Sequence, residues 1–227
     1  MTDATDSPLR ITFPATSLRG LVVAQLRKAI ISGHFASGAR LVERSLCNQL
    51  GVSRSVIREA IRVLEAEGLV ETLPRSGPVV ATLDWPVARQ IYDIRALLEA
   101  DAAAACARQA RAETGAQLTG ALAELKAAYD RLDPETLLAA TTRFYEVIFT
   151  AAGNDVAWEI VQRLNGRISR LRAITLASTD RQVSGYAHMQ RICAAICAND
   201  PDAAASAVKD HLRDAAEIAL TGLQGSS

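Results

Sequence analysis

Three arginines recur every fourth residue in the stretch SRSVIREAIR, at Arg54, Arg58 and Arg62. Residues four apart lie on one side of an α-helix, so the three guanidinium groups would share a face. The residues between them are mostly apolar and form a stripe on the opposite side. A guanidinium group is a planar fork of N–H donors, which suits guanine O6 and N7 and also phosphate oxygens. The chemistry open to this stretch is therefore nucleic-acid recognition, and the alternative is a solvated face whose arginines pair with Glu59 and Glu65.

The charges of the chain cancel overall but are unevenly distributed. Among 227 residues there are 25 Lys or Arg and 25 Asp or Glu. Residues 10–83 contain ten basic and five acidic side chains, whereas residues 84–227 contain fifteen basic and eighteen acidic ones. This division suggests a nucleic-acid-binding module joined to a domain that does not touch nucleic acid.

The elements around the arginines predict a small domain of three helices and a hairpin. Residues 16–32 have a helical apolar period, and a short helix is expected from Glu43 to Leu50, before Gly51. Ser53 is expected to cap the next helix through its hydroxyl group, and that helix extends to Gly68. Two short apolar strands follow the third helix and flank the turn PRSG; they are placed at residues 69–73 and 79–83.

The rest of the chain has a helical pattern. Asp84, Trp85 and Pro86 mark a junction, with the proline suited to a first helical turn. Asn154 is expected to cap the helix that follows it. Helices are predicted at residues 86–110, 113–132, 134–152, 155–176, 184–199 and 201–222. The fold class is thus mainly α, with a winged helix-turn-helix domain at residues 10–83 and a six-helix bundle at residues 84–223.

This order of elements places a set of polar residues where DNA would lie. In a winged helix-turn-helix the second helix of the motif enters the major groove with its first residues against base edges. The hairpin turn would reach the minor groove or phosphate, and the preceding helix would reach the backbone. Arg62 lies deeper in the helix and is expected to reach phosphate or to make an intramolecular pair. The predicted DNA contacts are Arg44, Ser53, Arg54, Ser55, Arg58, Arg75 and Gly77.

The stretch ERSLCNQLGVSRSVIREAIRVLEAEGLVETLPRSGPVV resembles the N-terminal domain of GntR-type bacterial transcriptional regulators. The remainder resembles the FCD effector domain of the FadR branch, through YDIRALLEADAAAACA, AAGN and HMQRICAAICANDPDAAASAVKDHL. The resemblance implies a homodimer, usually a repressor, that binds operator DNA and a small metabolite. It also implies DNA contacts at Arg44, Ser53, Arg54, Ser55, Arg58 and Gly77.

The resemblance also raises the question of a metal ion. Many FCD domains hold one with an Asp and a His four apart on one helix and two later histidines. Here Thr141 and Tyr145 stand at the first two positions, whereas His188 and His211 match the later ones. Because zinc sites generally have at least three protein ligands, a Zn or Ni ion is not favoured. Glu99 or Glu146 could add a carboxylate, although no spacing demands it.

The favoured interpretation of these residues is a metal-free pocket for a small organic acid. Tyr145, His188 and His211 would offer hydrogen bonds beside Thr141, and Arg95 would hold the carboxylate. Tyr145 could instead be a core aromatic with a satisfied hydroxyl, and the two histidines could be capped or exposed. Two other functions remain open: an architectural DNA-binding dimer without an effector, and, less favoured, a helical-bundle enzyme. The pattern contains no nucleophile–base signature and no cofactor loop.

The remaining features predict a protein of the cytoplasm. The apolar runs are too short to span a membrane, and the N-terminus lacks the features of a secretory signal. The cysteines contain no CxxC pair and are expected to be small core residues; they are Cys47, Cys106, Cys193 and Cys197.

Overall fold

The computed structural model of the chain describes residues 17–82, 84–131, 134–169, 171, 172, 175 and 179–224. Thr16, Leu83 and several residues of the predicted helix at 155–176 lie outside this part of the chain. The N-terminal elements are α1 (Leu18–Ile31), α2 (Glu43–Leu50), α3 (Arg54–Ala66), β1 (Val70–Leu73) and β2 (Gly77–Val80).

The apolar stripe of α3 forms the centre of the N-terminal core. Ile57, Ala60, Ile61 and Leu64 are buried on one face and pack with buried residues of α1, α2 and the hairpin. Gly51 ends α2 in the left-handed conformation, with φ 66°, which glycine adopts without steric cost. The apolar face of α3 therefore turns inward, and its arginines turn outward.

Two details of this domain differ from expectation. Ser53 is at the N-cap of α3, but its side chain caps no backbone N–H. Its hydroxyl group instead makes a hydrogen bond with the hydroxyl group of Ser55, at 2.9 Å between the two oxygens. The second strand begins at Gly77 rather than Val79, because Leu73 pairs directly with Gly77 across a three-residue turn.

The C-terminal elements are α4 (Trp85–Gln109), α5 (Ala112–Arg131), α6 (Pro134–Ala152), α7 (Asp155–Arg167), α8 (Thr179–Cys197) and α9 (Pro201–Gln224). Asp84 caps α4 by accepting a hydrogen bond from the backbone N–H of Val87. Alanines on α4 are fully buried, which allows close approach of α6, α8 and α9. The helices enclose a second hydrophobic core, separate from the first.

Some boundaries in the bundle were predicted imperfectly. α7 ends at Arg167 because Ile168 leaves helical geometry, and the described residues after it are helical again. α8 begins at Thr179, before the predicted residue 184, and contains Gly185 in its interior; tertiary packing outweighs the low helix propensity of glycine there. Asn154 is at the N-cap of α7 as expected, but its side chain makes no capping hydrogen bond.

Two of the cysteines are buried in the bundle core. Burial, and then the neighbouring Cys197, raise the pKa of Cys106 to about 11. The pKa of Cys193 is raised to about 11, first by burial and then by Cys197. Both thiols therefore remain protonated at neutral pH. None of the helices in the described residues is long and apolar enough to span a lipid bilayer.

Candidate nucleic-acid interface and effector pocket

The N-terminal end of α3 presents a polar, basic surface to solvent. Ser53, Arg54 and Ser55 are exposed, and Arg44 is exposed at the start of α2. Within the described residues, Arg44, Arg54 and the wing residue Arg75 make no ion pair. Their charges are therefore available to phosphate groups or base edges.

Arg58 is also exposed, but it is held by a carboxylate. Its Nε donates to both oxygens of Glu43, at 2.9 and 3.1 Å. This hydrogen bond, and then the charge of Glu43, raise the pKa of Arg58 above its ordinary value. DNA would have to compete with Glu43 for this guanidinium, or accept it in the orientation that Glu43 gives it.

Arg62 makes the intramolecular pair that was one of its two expected roles. Its Nη1 lies 2.6 Å from Glu59 Oε1, one turn earlier on α3. The three regularly spaced arginines are thus in three different states: Arg54 without an ion pair among the described residues, Arg58 shared with α2, and Arg62 paired within its helix.

The wing places the other two predicted DNA-binding residues at its turn. Arg75 is exposed in a left-handed conformation, with φ 71°. Gly77 has φ 74°, and a Cβ atom there would meet nothing within 4 Å. Glycine is therefore favoured at position 77 because the backbone there is left-handed, and not because a Cβ atom would lack space.

The bundle encloses a buried ion pair on α4. Arg95 Nε donates to Glu99 Oε1 at 2.6 Å, and the two side chains are only 3% and 0% exposed. Burial acts to lower the pKa of Arg95, but the charge and hydrogen bond of Glu99 outweigh it, and the pKa is raised. The other Glu99 oxygen, Oε2, is buried without a hydrogen-bond partner among the described residues.

A second buried arginine lies beside this pair. Arg172 is 7% exposed and makes no hydrogen bond or ion pair with a described side chain. Burial, and then repulsion from Arg95, lower its pKa to about 10, so it is still charged at neutral pH. Two cations and one carboxylate therefore share a low-dielectric region, and the surplus positive charge suits an anion.

These side chains face a common small cavity of about 20 Å³. That volume admits about one water molecule, so an organic anion would have to widen it. The lining combines the two arginines with hydroxyl, imidazole and apolar groups. The lining residues are Tyr92, Arg95, Thr141, Arg172, Thr175, His211, Leu212 and Ala215.

Three of the five residues predicted to bind an effector line this cavity: Arg95, Thr141 and His211. The other two lie next to His211, whose ring centroid is 6.2 Å from that of Tyr145 and 5.7 Å from that of His188. His188 Nε2 lies 3.4 Å from Asp214 Oδ2. Their roles in effector binding stay predictions.

Sequence reasoning missed Arg172. The signal was present, because Ile168 and Thr175 lie four residues before and three after it, a spacing that puts all three on one helix face. An arginine on a face shared with isoleucine is a candidate for burial. Because other arginines precede it closely in the sequence, Arg172 did not stand out as a candidate.

The residues at the family's metal positions do not fit a metal site. Thr141 uses its hydroxyl to donate to the Leu137 carbonyl oxygen at 2.7 Å. Both proposed extra carboxylates are engaged, because Glu99 pairs with Arg95 and Glu146 with Arg143. In the part of the chain that the structure describes, no three His, Cys, Asp or Glu residues are grouped to hold a metal ion.

A winged helix-turn-helix with exposed arginines at its second helix, followed by a helical bundle with a polar cavity, defines a DNA-binding transcriptional regulator. Residues 18–80 match the family described as bacterial regulatory proteins, gntR family, and residues 90–214 match the FCD domain. The chain therefore belongs to the gntR family and carries an FCD domain. Members of this family regulate transcription and are not enzymes; they bind operator DNA as dimers.

Known relatives extend over most of the chain. An uncharacterized HTH-type transcriptional regulator, YdhC of Bacillus subtilis strain 168, is 29% identical over 188 residues, which are 82% of this chain and 84% of the relative. A probable D-xylose utilization operon transcriptional repressor of Paenarthrobacter nicotinovorans is 28% identical over 211 residues, 92% and 90% of the two chains. The structure of E. coli McbR/YncC shares the fold, with a TM-score of 0.74 at 20% identity, covering 93% of this chain and 100% of that one.

Proposed function

We propose that this protein is a repressor that binds a two-fold operator through α3 and the wing and is released by a small organic anion. Residues 10–83 would read DNA, and residues 84–223 would bind the effector and form the dimer in the cytoplasm, where the operator is. The observation that carries the effector proposal is the buried guanidinium of Arg172, which shares a cavity with Arg95 and lacks a side-chain acceptor among the described residues. A carboxylate that widened this cavity could accept parallel hydrogen bonds from a guanidinium group.

The DNA-binding part of the proposal depends on the position of Arg54 at the first turn of α3. A helix that enters the major groove brings its N-terminal side chains to base edges. Arg62 lies two turns further on and is already paired. The two arginines therefore provide a test and its control within one helix.

Arg54→Ala should weaken binding to an operator selected by the wild-type protein from random duplexes. Loss of a guanine contact costs about 1–3 kcal/mol, which is roughly tenfold to a hundredfold in affinity. Arg62→Ala should change the affinity by less than about twofold, because its charge is already paired. Fluorescence anisotropy at fixed salt measures both, and equal affinity of Arg54→Ala and wild type would refute the proposed readout.

Dimerisation also needs a surface, and the bundle has a suitable one. Among the described residues after the wing, the exposed large apolar side chains are confined to α4 and α7: Ile94, Leu97, Val156 and Ile160. Leu97 and Val156 are 70% and 75% exposed. At the end of the bundle that faces the N-terminal domain, α4 begins after the wing and α7 ends against α3. At a rise of 1.5 Å per residue, Leu97 and Val156 both lie about 17 Å from this end of the bundle. We propose that this face binds the second copy of the chain.

Leu97→Glu should raise the dimer dissociation constant by about tenfold or more. In a two-fold interface each copy would bury one of the new carboxylates, so two charges would lose their contact with water. Leu21→Glu supplies the control, since Leu21 is also an exposed leucine but lies on α1. Sedimentation equilibrium measures the dissociation constant. If Leu97→Glu and Leu21→Glu dimerise alike, the proposed face is wrong.

An architectural DNA-binding dimer is the second candidate, and ligand binding separates it from a regulator. A regulator of the proposed kind should melt at a higher temperature with acetate or succinate than with chloride at equal ionic strength. D-xylose, named in the description of one relative, serves as a neutral comparison. An architectural dimer would show the same melting temperature throughout.

A further inference from the structure

The end of α7 lies directly against the end of α3. Gly166 is in the last turn of α7, and a Cβ atom there would overlap the backbone carbonyl group of Glu67. Glu67 is the C-cap residue of α3. The next residue, Gly68, faces the side chain of Arg167 so closely that a Cβ atom on it would overlap that chain. The two domains therefore meet where the last turn of α7 lies against the backbone just after α3.

Neither side of this contact can yield easily. Arg27 on α1 holds the Glu67 carboxylate, with its Nε at 2.9 Å and its Nη2 at 2.6 Å from the two oxygens. The atom that faces Gly166 belongs to the backbone and cannot rotate away as a side chain can. A movement of the α7 end toward α3, or added bulk at Gly166, thus has to displace the end of α3 and the core attached to it.

We propose that Gly166 is a positioning residue for DNA recognition, because its contact with Glu67 sets the angle at which the bundle presents α3. The inference rests on the proposed function of α3 as the helix that reads the operator. In a dimer joined through its bundles, this angle determines the spacing of the two recognition helices and so the fit to two half-sites. Binding of one DNA-binding domain to a single half-site does not depend on it.

Gly166→Ala tests this separation. Gly166 does not have a positive φ angle, and alanine is the better helix former, so only the overlap with Glu67 opposes the substitution. Affinity of the full-length variant for the selected operator should fall by about tenfold or more, because two misaligned helices cannot both make their base contacts. Affinities for a duplex with one half-site and for an unrelated duplex should change by less than about twofold, since phosphate contacts of single domains supply them.

Gly120→Ala is the matched control. Gly120 is an exposed helical glycine on α5, and a Cβ atom there meets nothing within 4 Å. All three affinities should remain as in wild type. Operator affinity of Gly166→Ala equal to that of Gly120→Ala would overturn the inference alone. Failure of the wild type to select any operator would overturn the proposed function together with it.

A milder variant covers the case in which Gly166→Ala does not fold. Arg167→Ala removes the side chain that covers Gly68 and adds no bulk. It should lower operator affinity by about threefold without changing half-site affinity, and Arg163→Ala, an exposed arginine one turn earlier on α7, should change neither. Equal losses of affinity for the selected operator and for the half-site duplex would show that the residue has a structural role only, and would contradict the proposal.

Discussion

Glu99→Gln should unfold at a temperature roughly 10 °C below that of the wild type. The substitution keeps the shape of the side chain but leaves the buried guanidinium groups of Arg95 and Arg172 without a carboxylate. Removal of one partner from a buried ion pair costs about 3–5 kcal/mol, and in a chain of this size each kcal/mol shifts the melting temperature by about 2–4 °C. Differential scanning calorimetry at pH 7 measures the shift.

Asp93→Asn provides the matched control on the same helix. Arg89 and Asp93 have the same four-residue spacing as Arg95 and Glu99, but their side chains are exposed and their closest atoms are 4.0 Å apart. The free energy of unfolding of Asp93→Asn should differ from that of the wild type by less than about 0.5 kcal/mol. Acetate should raise the melting temperature of Glu99→Gln more than that of the wild type, because an anion in the cavity would replace the missing carboxylate. Similar stability of Glu99→Gln and Asp93→Asn would show that breaking the buried ion pair does not destabilise the protein, and would contradict the prediction.

Arg172→Met should have the opposite effect on stability and abolish the anion response. Burial and the charge of Arg95 both act against the positive charge of Arg172 and lower its pKa. Replacement of buried charged groups by apolar ones of similar volume is often neutral or stabilising, by about 1–4 kcal/mol. The variant should therefore melt at or above the wild-type temperature, and acetate should no longer raise it.

Two further variants check the cause of that result. Arg163→Met makes the same change at an exposed position of α7 and should keep both the stability and the acetate response of the wild type. Glu99→Gln combined with Arg172→Met should be more stable than Glu99→Gln alone, because the surplus positive charge is smaller. Retention of the acetate response by Arg172→Met would remove Arg172 from the proposed effector site.

The DNA-binding domain could be predicted from sequence because its signals are local. The arginine spacing of α3, the glycine at residue 51 and the apolar pairs of the hairpin each involve neighbours along the chain. Of the two details that differed from expectation, the hydroxyl cap by Ser53 concerned a choice between two nearby hydrogen-bond partners. The difference in energy between such partners depends on side-chain geometry that residue types do not contain.

By itself, the sequence determined the class of the fold, the order of its elements and the helix that we propose reads DNA, because helical period, caps and turns depend on residues a few positions apart. Only the tertiary structure decided which arginines are free to act. It paired Arg62 and shared Arg58 with α2, whereas it buried Arg172 beside Arg95 and Glu99 from a distant helix. It also brought Gly166 against the end of α3. Burial and long-range contact are properties of the packed chain, and they set the local dielectric and the available partners on which the chemistry of a charged group depends.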